Sequence, residues 1–287
     1  RTLLAFYDTL GGAAETVSEI IANHIIPCTV EFLDNTTIRC VEDFAKIGLP
    51  TSAAALLLLE VDGHESVVAS EAAAIQEICK RKGASEVKVA RTEAEALQLK
   101  EARRAAFSSL ARVKPTTILE DATVPRANLA TLVEKIDAIA RKYNLQIGNF
   151  GHAGDGNFHT NILYDSADHE HRVKLQATRF DLHALACELG GTLSGEHGIG
   201  ITKARFMELE HDSTALQVMR TLTVEAGRTR GAIVTGLFSL TGWTEDCTAH
   251  VRGDRSHPAL LHPDVSVCLV GPAVDAVQAS PTDRRLA

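Results

Sequence analysis

Residues 151–164 read Gly-His-Ala-Gly-Asp-Gly-Asn-Phe-His-Thr-Asn-Ile-Leu-Tyr, so that six residues, two of them glycine, separate His152 from His159. Glycine lets the backbone turn sharply or approach a ligand closely. From His159 onward the sequence has the two-residue period of a β-strand, which puts His159, Asn161 and Leu163 on one face. The stretch therefore predicts a tight loop that enters a strand and can place both imidazoles at one point.

Short apolar strands alternate with amphipathic helices on both sides of this stretch, and Gly11-Gly12 predicts a turn after the first strand. The predicted strands are Thr2–Tyr7, Cys28–Leu33, Ala53–Val61, Glu86–Ala90, Thr116–Thr123, Leu145–Phe150 and His159–Tyr164. One predicted helix begins at Asp34 or Asn35, and the others are Ala13–His24, Glu65–Lys82, Thr92–Leu110, Leu129–Tyr143, Ala167–Leu189, Lys203–Leu209 and Thr214–Glu225.

The β-α-β spacing of the first 90 residues predicts an α+β fold in which helices pack on one face of a sheet. Gly195, Gly198 and Gly200 do not have the Gly-x-Gly-x-x-Gly spacing between a strand and a helix, which argues against a dinucleotide-binding fold. We find no convincing internal repeat.

The composition, with 45% hydrophobic and 23% charged residues, is typical of a soluble globular protein. A net charge of −8 gives no electrostatic basis for binding nucleic acid. No apolar run reaches the roughly 18 residues needed to cross a bilayer. The six cysteines form no Cys-x-x-Cys pair, which predicts free thiols in a reducing cytosol.

The chain shows no signal peptide, and we expect a cytoplasmic protein; peripheral association with the inner membrane through a partner is the alternative. It opens on Arg1 and goes directly into an apolar strand, from which we expect a fragment whose upstream part is missing.

A second polar loop, Ser-Gly-Glu-His-Gly-Ile-Gly at 194–200, follows about 40 residues downstream. Imidazoles and a carboxylate suit Zn²⁺, Fe²⁺ or Mn²⁺, and His152, His159 and Glu196 could supply three ligands. Three protein ligands leave a coordination position open for substrate, and His197 would then be a nearby general base. Because the spacing of the histidines is not a recognised ligand spacing, the alternative is two turn histidines without a metal.

Two further side chains have both a binding and an ordinary interpretation. Arg103, like its neighbour Arg104, is either a solvated helix residue or a planar cation that holds a substrate carboxylate. Asn161 shares a strand face with His159, so it could contact a ligand or form hydrogen bonds at the edge of the core.

Four segments carry a family resemblance: residues 29–34, 120–126, 151–161, and 194–200 with Lys203 following. Over roughly residues 1–220 the chain resembles the C-terminal domain of FAD-linked oxidases, in the vanillyl-alcohol oxidase and p-cresol methylhydroxylase superfamily. Members of the glycolate oxidase flavin subunit, D-lactate dehydrogenase and D-2-hydroxyglutarate dehydrogenase types are the most similar. The resemblance implies a mainly antiparallel sheet with ferredoxin-like elements.

The resemblance also implies an activity, the oxidation of a D-2-hydroxy acid to the 2-oxo acid with hydride transfer to FAD. In this family a divalent metal would be bound by His152, His159 and Glu196, and His197 would take the hydroxyl proton. Arg103 would hold the substrate carboxylate and Asn161 would face the substrate. The family pattern Leu-Trp-x-x-Arg has Lys100 here in place of Trp. No residue of this chain is assigned to FAD binding.

We expect the FAD-binding domain either upstream in the full-length protein or in trans, and no turnover by this chain alone. The electron acceptor stays open among oxygen, a cytochrome and an electron-transfer flavoprotein. A metal-dependent hydrolase and a non-catalytic truncated remnant are the alternatives to an oxidoreductase.

Residues 221–287 form an atypical tail with weak periodicity, in which the family's Asp-Pro and Asn-Pro-Gly ending is replaced. We expect it to be irregular, and a shifted reading frame or a divergent C-terminus would each produce it.

Overall fold

The computed structural model describes residues 1–228, which form one seven-stranded sheet and eight α-helices. The strands are β1 (Thr2–Tyr7), β2 (Thr29–Asp34), β3 (Ala55–Glu60), β4 (Ala84–Val89), β5 (Thr116–Thr123), β6 (Gln146–His152) and β7 (Asn157–Tyr164). The helices are α1 (Leu10–Ala22), α2 (Asn35–Ala45), α3 (Glu65–Arg81), α4 (Glu93–Leu110), α5 (Leu129–Tyr143), α6 (His169–Glu188), α7 (Gly200–Lys203) and α8 (Ser213–Arg228).

The chain divides into two units. The first comprises Arg1–Glu196 and Arg205–Met219 and contains the whole sheet; the second comprises His197–Ala204 and Arg220–Ala287. Within the second unit the described residues include the single turn of α7 and the end of α8.

The strand order is β4-β1-β3-β2-β6-β7-β5, and every neighbouring pair is antiparallel. The predicted α+β class with a mainly antiparallel sheet is therefore confirmed. β1 and β3 lie inside the sheet, and their near-continuous apolar sequences are typical of strands that are buried on both sides.

Helices cover both faces of the sheet, so the expectation of helices on one face is wrong. On β1, Leu3 and Tyr7 belong to the core under α1, α3, α5 and α6, whereas Leu4 and Phe6 belong to a second core under α2 and α4. The reason is visible in β1 itself: consecutive rather than alternating positions are apolar, and such a strand needs a cover on each side.

The first four strands have the order 4-1-3-2 of a ferredoxin-like βαββαβ unit, with α2 inserted between β2 and β3. The run β5-α5-β6-β7-α6 repeats this arrangement without its last strand, since β7 lies between β5 and β6 as β3 lies between β1 and β2. Within the described part of the chain, a single bridge between Thr123 and Thr192 lies beside β5, where a fourth strand would pair. The fold thus contains a repeat that the sequence does not reveal.

Two local predictions need correction. Gly11-Gly12 is not a turn but lies in the first turn of α1, because the Thr9 side chain caps that helix and accepts a hydrogen bond from the Gly12 N–H at 3.2 Å. The helix predicted at Lys203–Leu209 is a 3₁₀ segment at Ala204–Leu209. The start of α2 is as predicted, with Asp34 as its N-cap.

Among the described residues, Cys28, Cys40, Cys79 and Cys187 are free thiols, as expected; Cys247 and Cys268 lie outside these residues. No helix in residues 1–228 combines the length and apolar character required to cross a membrane. Helix α8 continues past position 220 to Arg228, and the rest of the predicted irregular tail lies outside the described residues.

The centre of the sheet gives a first test of this packing. Leu57 on β3 is fully buried, and Leu57→Ala should lower the free energy of unfolding by about 2–5 kcal/mol, because the lost side chain leaves a cavity between sheet and helices. Urea unfolding followed by far-UV circular dichroism measures the change.

Leu97→Ala provides the matched control, since Leu97 lies on α4 with 46% of its surface exposed and alanine favours helix. Equal effects of the two substitutions would contradict the burial of β3 between two helical layers.

Candidate functional site

The two histidines lie on the paired strands of the β6–β7 hairpin. His152 is the last residue of β6 and His159 the third of β7, so the loop between the strands is shorter than predicted. His159 pairs with Phe150, two positions from His152, and both imidazoles therefore lie on the same face of the sheet. Their ring centroids are 5.1 Å apart and their planes nearly perpendicular, at 88°.

The hairpin turn depends on a glycine. Gly156 has a φ of +76°, and a Cβ there would lie 2.1 Å from the carbonyl oxygen of Val124. Any other residue would be strained and would displace the end of β5 from the hairpin. Gly156 therefore allows the two histidine strands and β5 to lie close together.

Glu196 reaches the same point from the loop that follows α6. Its Oε1 lies 3.1 Å from Nε2 of His159 and 3.5 Å from Nε2 of His152. One ligand atom from each of these three side chains lies within 4.8 Å of the other two. The structure thus brings together the three residues predicted as metal ligands, whereas metal binding itself stays a prediction.

A buried aspartate on β5 holds the loop that carries Glu196. Asp121 is fully buried and accepts hydrogen bonds from Ser194 Oγ at 3.1 Å, from the Gly195 N–H at 2.9 Å and from the Glu196 N–H at 2.7 Å. Gly195 is required for the close approach, since a Cβ there would lie 2.3 Å from Thr123 Oγ1. The backbone of Glu196 is therefore attached directly to the sheet.

A second carboxylate, Glu31 of β2, lies next to His152. Glu31 pairs with His152 across the β2–β6 ladder, and its Oε1 is 2.7 Å from His152 Nδ1. Its Oε2 accepts a hydrogen bond from Nε of Arg103 at 2.8 Å. Two groups, one from β6 and one from α4, thus meet at the Glu31 carboxylate of β2.

This contact changes the pKa of both partners. Burial alone would raise the pKa of Glu31, but the hydrogen bonds from His152 and Arg103 and their charges outweigh it and hold that pKa below its usual value. The hydrogen bond to Glu31 raises the pKa of His152 above that of a free imidazole, against the effect of partial burial. Both shifts favour the charged forms of the pair.

Arg103 is not a solvated helix residue. Its guanidinium lies 4.6 Å from the centre of the Phe150 ring and contacts Glu31, whereas Arg104 on the same helix is exposed. Arg103 therefore lies beside the histidine pair, and its role as a substrate anchor stays a prediction.

Asn161 lies on the same face as His159, two residues along β7. It is fully buried and its Nδ2 donates to the carbonyl oxygens of Gly148 at 3.3 Å and His159 at 2.9 Å. These are the core-edge hydrogen bonds of the ordinary interpretation, while its Oδ1 accepts none from the described residues. His197 is exposed and follows Glu196 directly in the chain, and it belongs to the second unit.

Glu31 and Asp121 are the residues that sequence reasoning did not assign. Both lie inside segments that carried the family resemblance, 29–34 and 120–126, and each is a carboxylate within a predicted strand. A buried carboxylate requires hydrogen-bond or ion-pair partners. A carboxylate inside a predicted strand is therefore the sequence signal that could have identified Glu31 and Asp121. The partners themselves come from β6, α4 and the loop after α6, which local sequence patterns do not connect.

Two imidazoles and a carboxylate form a donor set for a borderline divalent cation. A guanidinium beside that set can bind a carboxylate with two parallel hydrogen bonds. The arrangement is suited to a small acid that carries a second oxygen close to its carboxylate.

The attachment of the Glu196 loop gives a testable prediction. Asp121→Ala should lower the free energy of unfolding by about 1–3 kcal/mol, because buried hydrogen-bond donors lose their acceptor. It should also make the 192–196 loop easier to cleave by proteases. Chemical denaturation and limited proteolysis with mass spectrometry measure the two effects.

Asp155→Ala is the control, since Asp155 is an exposed residue of the hairpin turn. We expect it to change stability by less than about 0.5 kcal/mol. An Asp121 variant as stable and as protease-resistant as the Asp155 variant would contradict the proposed attachment.

Comparison with known proteins identifies the family to which the sequence is similar. The family model described as "FAD linked oxidases, C-terminal domain" matches residues 1–223. Glycolate oxidase subunit GlcD of Bacillus subtilis (strain 168) is 49% identical over 222 residues, which are 77% of this chain and 47% of that protein. Mitochondrial D-lactate dehydrogenase [cytochrome] of Arabidopsis thaliana is 27% identical over 216 residues, 75% of this chain and 38% of that protein.

Among solved structures, p-cresol methylhydroxylase with substrate bound shares the fold, with a TM-score of 0.58 and 10% identity over 84% of this chain and 51% of that chain. The chain spans about half the length of the curated relatives it matches.

Proposed function

Because this chain belongs to the family of FAD-linked oxidases, whose C-terminal domain it contains, we propose that it is the substrate-binding part of an FAD-dependent oxidoreductase. The substrate we propose is a D-2-hydroxy acid of the glycolate or D-lactate type, oxidised to the 2-oxo acid. The names of the GlcD and D-lactate dehydrogenase relatives support this class of substrate. The observation that carries the proposal is the cluster of His152, His159 and Glu196 with Arg103 beside it.

The cluster fits a divalent metal by its chemistry and geometry. Both histidines direct Nε2 toward the same Glu196 oxygen, at 3.5 and 3.1 Å, and the three residues belong to two strands and a loop attached to the sheet. The donor set suits Zn²⁺, with Fe²⁺ or Mn²⁺ as alternatives, and leaves coordination positions for a substrate. A metal bound there would lower the pKa of the substrate hydroxyl by acting as a Lewis acid.

Arg103 is the proposed anchor of the substrate carboxylate. Its Nε is held by Glu31 and its planar group lies against Phe150, which leaves the two Nη nitrogens to form a two-point contact with a carboxylate. Anchoring the carboxylate fixes C2 and its hydroxyl relative to the metal ligands. Asn161 is proposed to contribute a polar contact from the floor of the same face.

The reaction removes one proton from the hydroxyl oxygen and one hydride from C2, and the carbonyl bond forms between these two atoms. We propose that His197 accepts the proton, as the family resemblance implies for the residue after Glu196. FAD, when bound, accepts the hydride, which is the redox chemistry that the protein groups cannot supply. We propose that FAD is bound outside residues 1–223, by a domain of the full-length protein or by a partner in trans.

Metal binding is tested on the full chain. We expect it to bind one equivalent of Zn²⁺, and His152→Ala, His159→Ala or Glu196→Gln each to weaken binding by at least 100-fold, because each removes a ligand from a set of three. Competition with a chromophoric chelator measures the affinity. His169→Ala is the control, since His169 is exposed at the start of α6, and it should bind like the parent chain.

The oxidase activity requires the flavin half of such a protein. We expect the full chain, co-expressed with the flavin-binding half of the Bacillus subtilis GlcD relative, to yield a complex whose oxidised-flavin absorbance bleaches on addition of glycolate or D-lactate. Arg103→Gln should raise the acid concentration needed for half-maximal bleaching by about 10²-fold or more, since a charge-assisted two-point contact is lost.

Three outcomes separate the functional classes. Bleaching by a D-2-hydroxy acid supports the oxidoreductase. Zn²⁺-dependent hydrolysis of ester or amide substrates by the flavin-free chain would instead indicate a metal-dependent hydrolase. A flavin-loaded complex that responds to none of the acids, with a chain that binds no metal, would indicate a non-catalytic remnant.

A further inference from the structure

Glu31 connects two groups to which the proposed function gives different tasks. Its Oε1 is 2.7 Å from Nδ1 of His152 and its Oε2 is 2.8 Å from Nε of Arg103, while only 12% of its side chain is exposed. We infer that Glu31 is a shared positioning residue, which orients His152 toward the metal and Arg103 toward the substrate carboxylate. This inference rests on the proposed function, in which the two groups bind the same small acid.

The contact with His152 selects the nitrogen that faces the metal position. An ionised carboxylate can only accept a hydrogen bond, so in the neutral ring of a metal-bound His152 the proton is on Nδ1 and the lone pair is on Nε2. Nε2 is the nitrogen that lies 3.5 Å from Glu196 Oε1. Carboxylates that hold metal-binding histidines in this way fix the tautomer and orientation of the ring.

The contact with Arg103 selects the edge of the guanidinium that faces the substrate. Nε donates to Glu31, and the flat group packs against Phe150 at 4.6 Å from its ring centre. Within residues 1–222, Arg103 makes no other hydrogen bond or ion pair, so both Nη nitrogens are available to a ligand. A carboxylate that meets this edge accepts two parallel hydrogen bonds.

Glu31 therefore sets the distance between Arg103, which would bind the carboxylate of the substrate, and His152, which would bind the metal. The backbone reinforces this, since Glu31 and His152 are directly opposite each other in the β2–β6 ladder. Because Glu31 contacts both Arg103 and His152, it is a direct link between the two halves of the proposed site.

Glu60 provides a matched control in the same sheet. It lies at the end of β3 and accepts hydrogen bonds from Lys100 Nζ at 2.6 Å and Thr2 Oγ1 at 2.8 Å, and 18% of its side chain is exposed. Like Glu31, it is a mostly buried carboxylate with a cation and a second donor, but neither donor belongs to the candidate site. Glu60→Gln thus shows what the loss of such an ion pair does by itself.

The experiment uses Co²⁺ as the metal probe and the full chain as the protein. The Co²⁺ affinity is measured by competition with a chelator, and D-lactate binding by the change in the visible Co²⁺ absorption. Glu31→Gln should weaken Co²⁺ binding by about 10–100-fold. The reason is that an amide has one acceptor oxygen and an NH2 group that only donates, so it cannot accept from His152 at one position and from Arg103 at the other. It should weaken D-lactate binding as well.

The control variants separate the two halves of the inference. Arg103→Gln should weaken D-lactate binding with little effect on Co²⁺, because Glu31 still holds His152. Glu60→Gln should change neither. In Glu31→Gln combined with Arg103→Gln, the competing donor is gone and the amide oxygen can accept from His152, so Co²⁺ affinity should return to within about threefold of the parent chain.

If Glu31→Gln alone fails to fold, the double variant still tests the positioning role of Glu31, because the double variant contains no unpaired guanidinium. A parent chain that binds no Co²⁺, or a His152→Ala variant that binds it normally, would overturn the proposed metal site and this inference with it. Binding that is lost in His152→Ala but unchanged in Glu31→Gln would overturn the positioning role alone. A double variant as weak as a folded Glu31→Gln would also overturn it.

Discussion

The pairing of β2 with β6 is the contact on which the candidate site depends. It joins two ferredoxin-like halves edge to edge into one sheet, and it places Glu31 of the first half opposite His152 of the second. The ion pair that results joins residues 121 positions apart in the chain. A shift of this ladder by one residue would turn Glu31 to the other face of the sheet and separate it from His152 and Arg103.

The face on which the site lies is set by the division of the helices. Helices α2 and α4 cover one face near β1, β3 and β2, and Arg103 extends from α4 over Phe150 toward the hairpin. Helices α1, α3, α5 and α6 bury the opposite face, to which Phe158, Ile162 and Tyr164 of β7 point. The side chains of His152, His159 and Glu31 therefore lie on one side of the sheet, next to a helix that supplies a cation.

Much of this architecture is predictable from local sequence. Hydrophobic periodicity located all seven strands, and the alternation after His159 assigned Asn161 and Leu163 to the correct face. The two histidines and Glu196 were recognised as residues whose chemistry suits a common ligand, and they do lie together.

The rest depends on contacts that local patterns do not encode. Helices on both faces, the repeat, and the partners of Glu31 and Asp121 all follow from the order of the strands, which is set by pairing between distant segments. The prediction of a turn at the start of α1 is wrong for a local reason. A pair of glycines suggests a turn, but the Thr9 cap satisfies the start of a helix at the same place.

Among residues 1–228 the second half has no fourth strand, and this has a consequence for local dynamics. Where the first half has a complete ladder, the second has one bridge at Thr192 and a loop held by the side chain of Asp121. Because the described residues join that loop to the sheet by few backbone hydrogen bonds, we expect the loop to open at a lower free energy than global unfolding requires. We expect the amide hydrogens of Gly195 and Glu196 to exchange through openings of this loop that leave the hairpin intact. Solvent access to the histidines would then depend on loop opening and not on global unfolding.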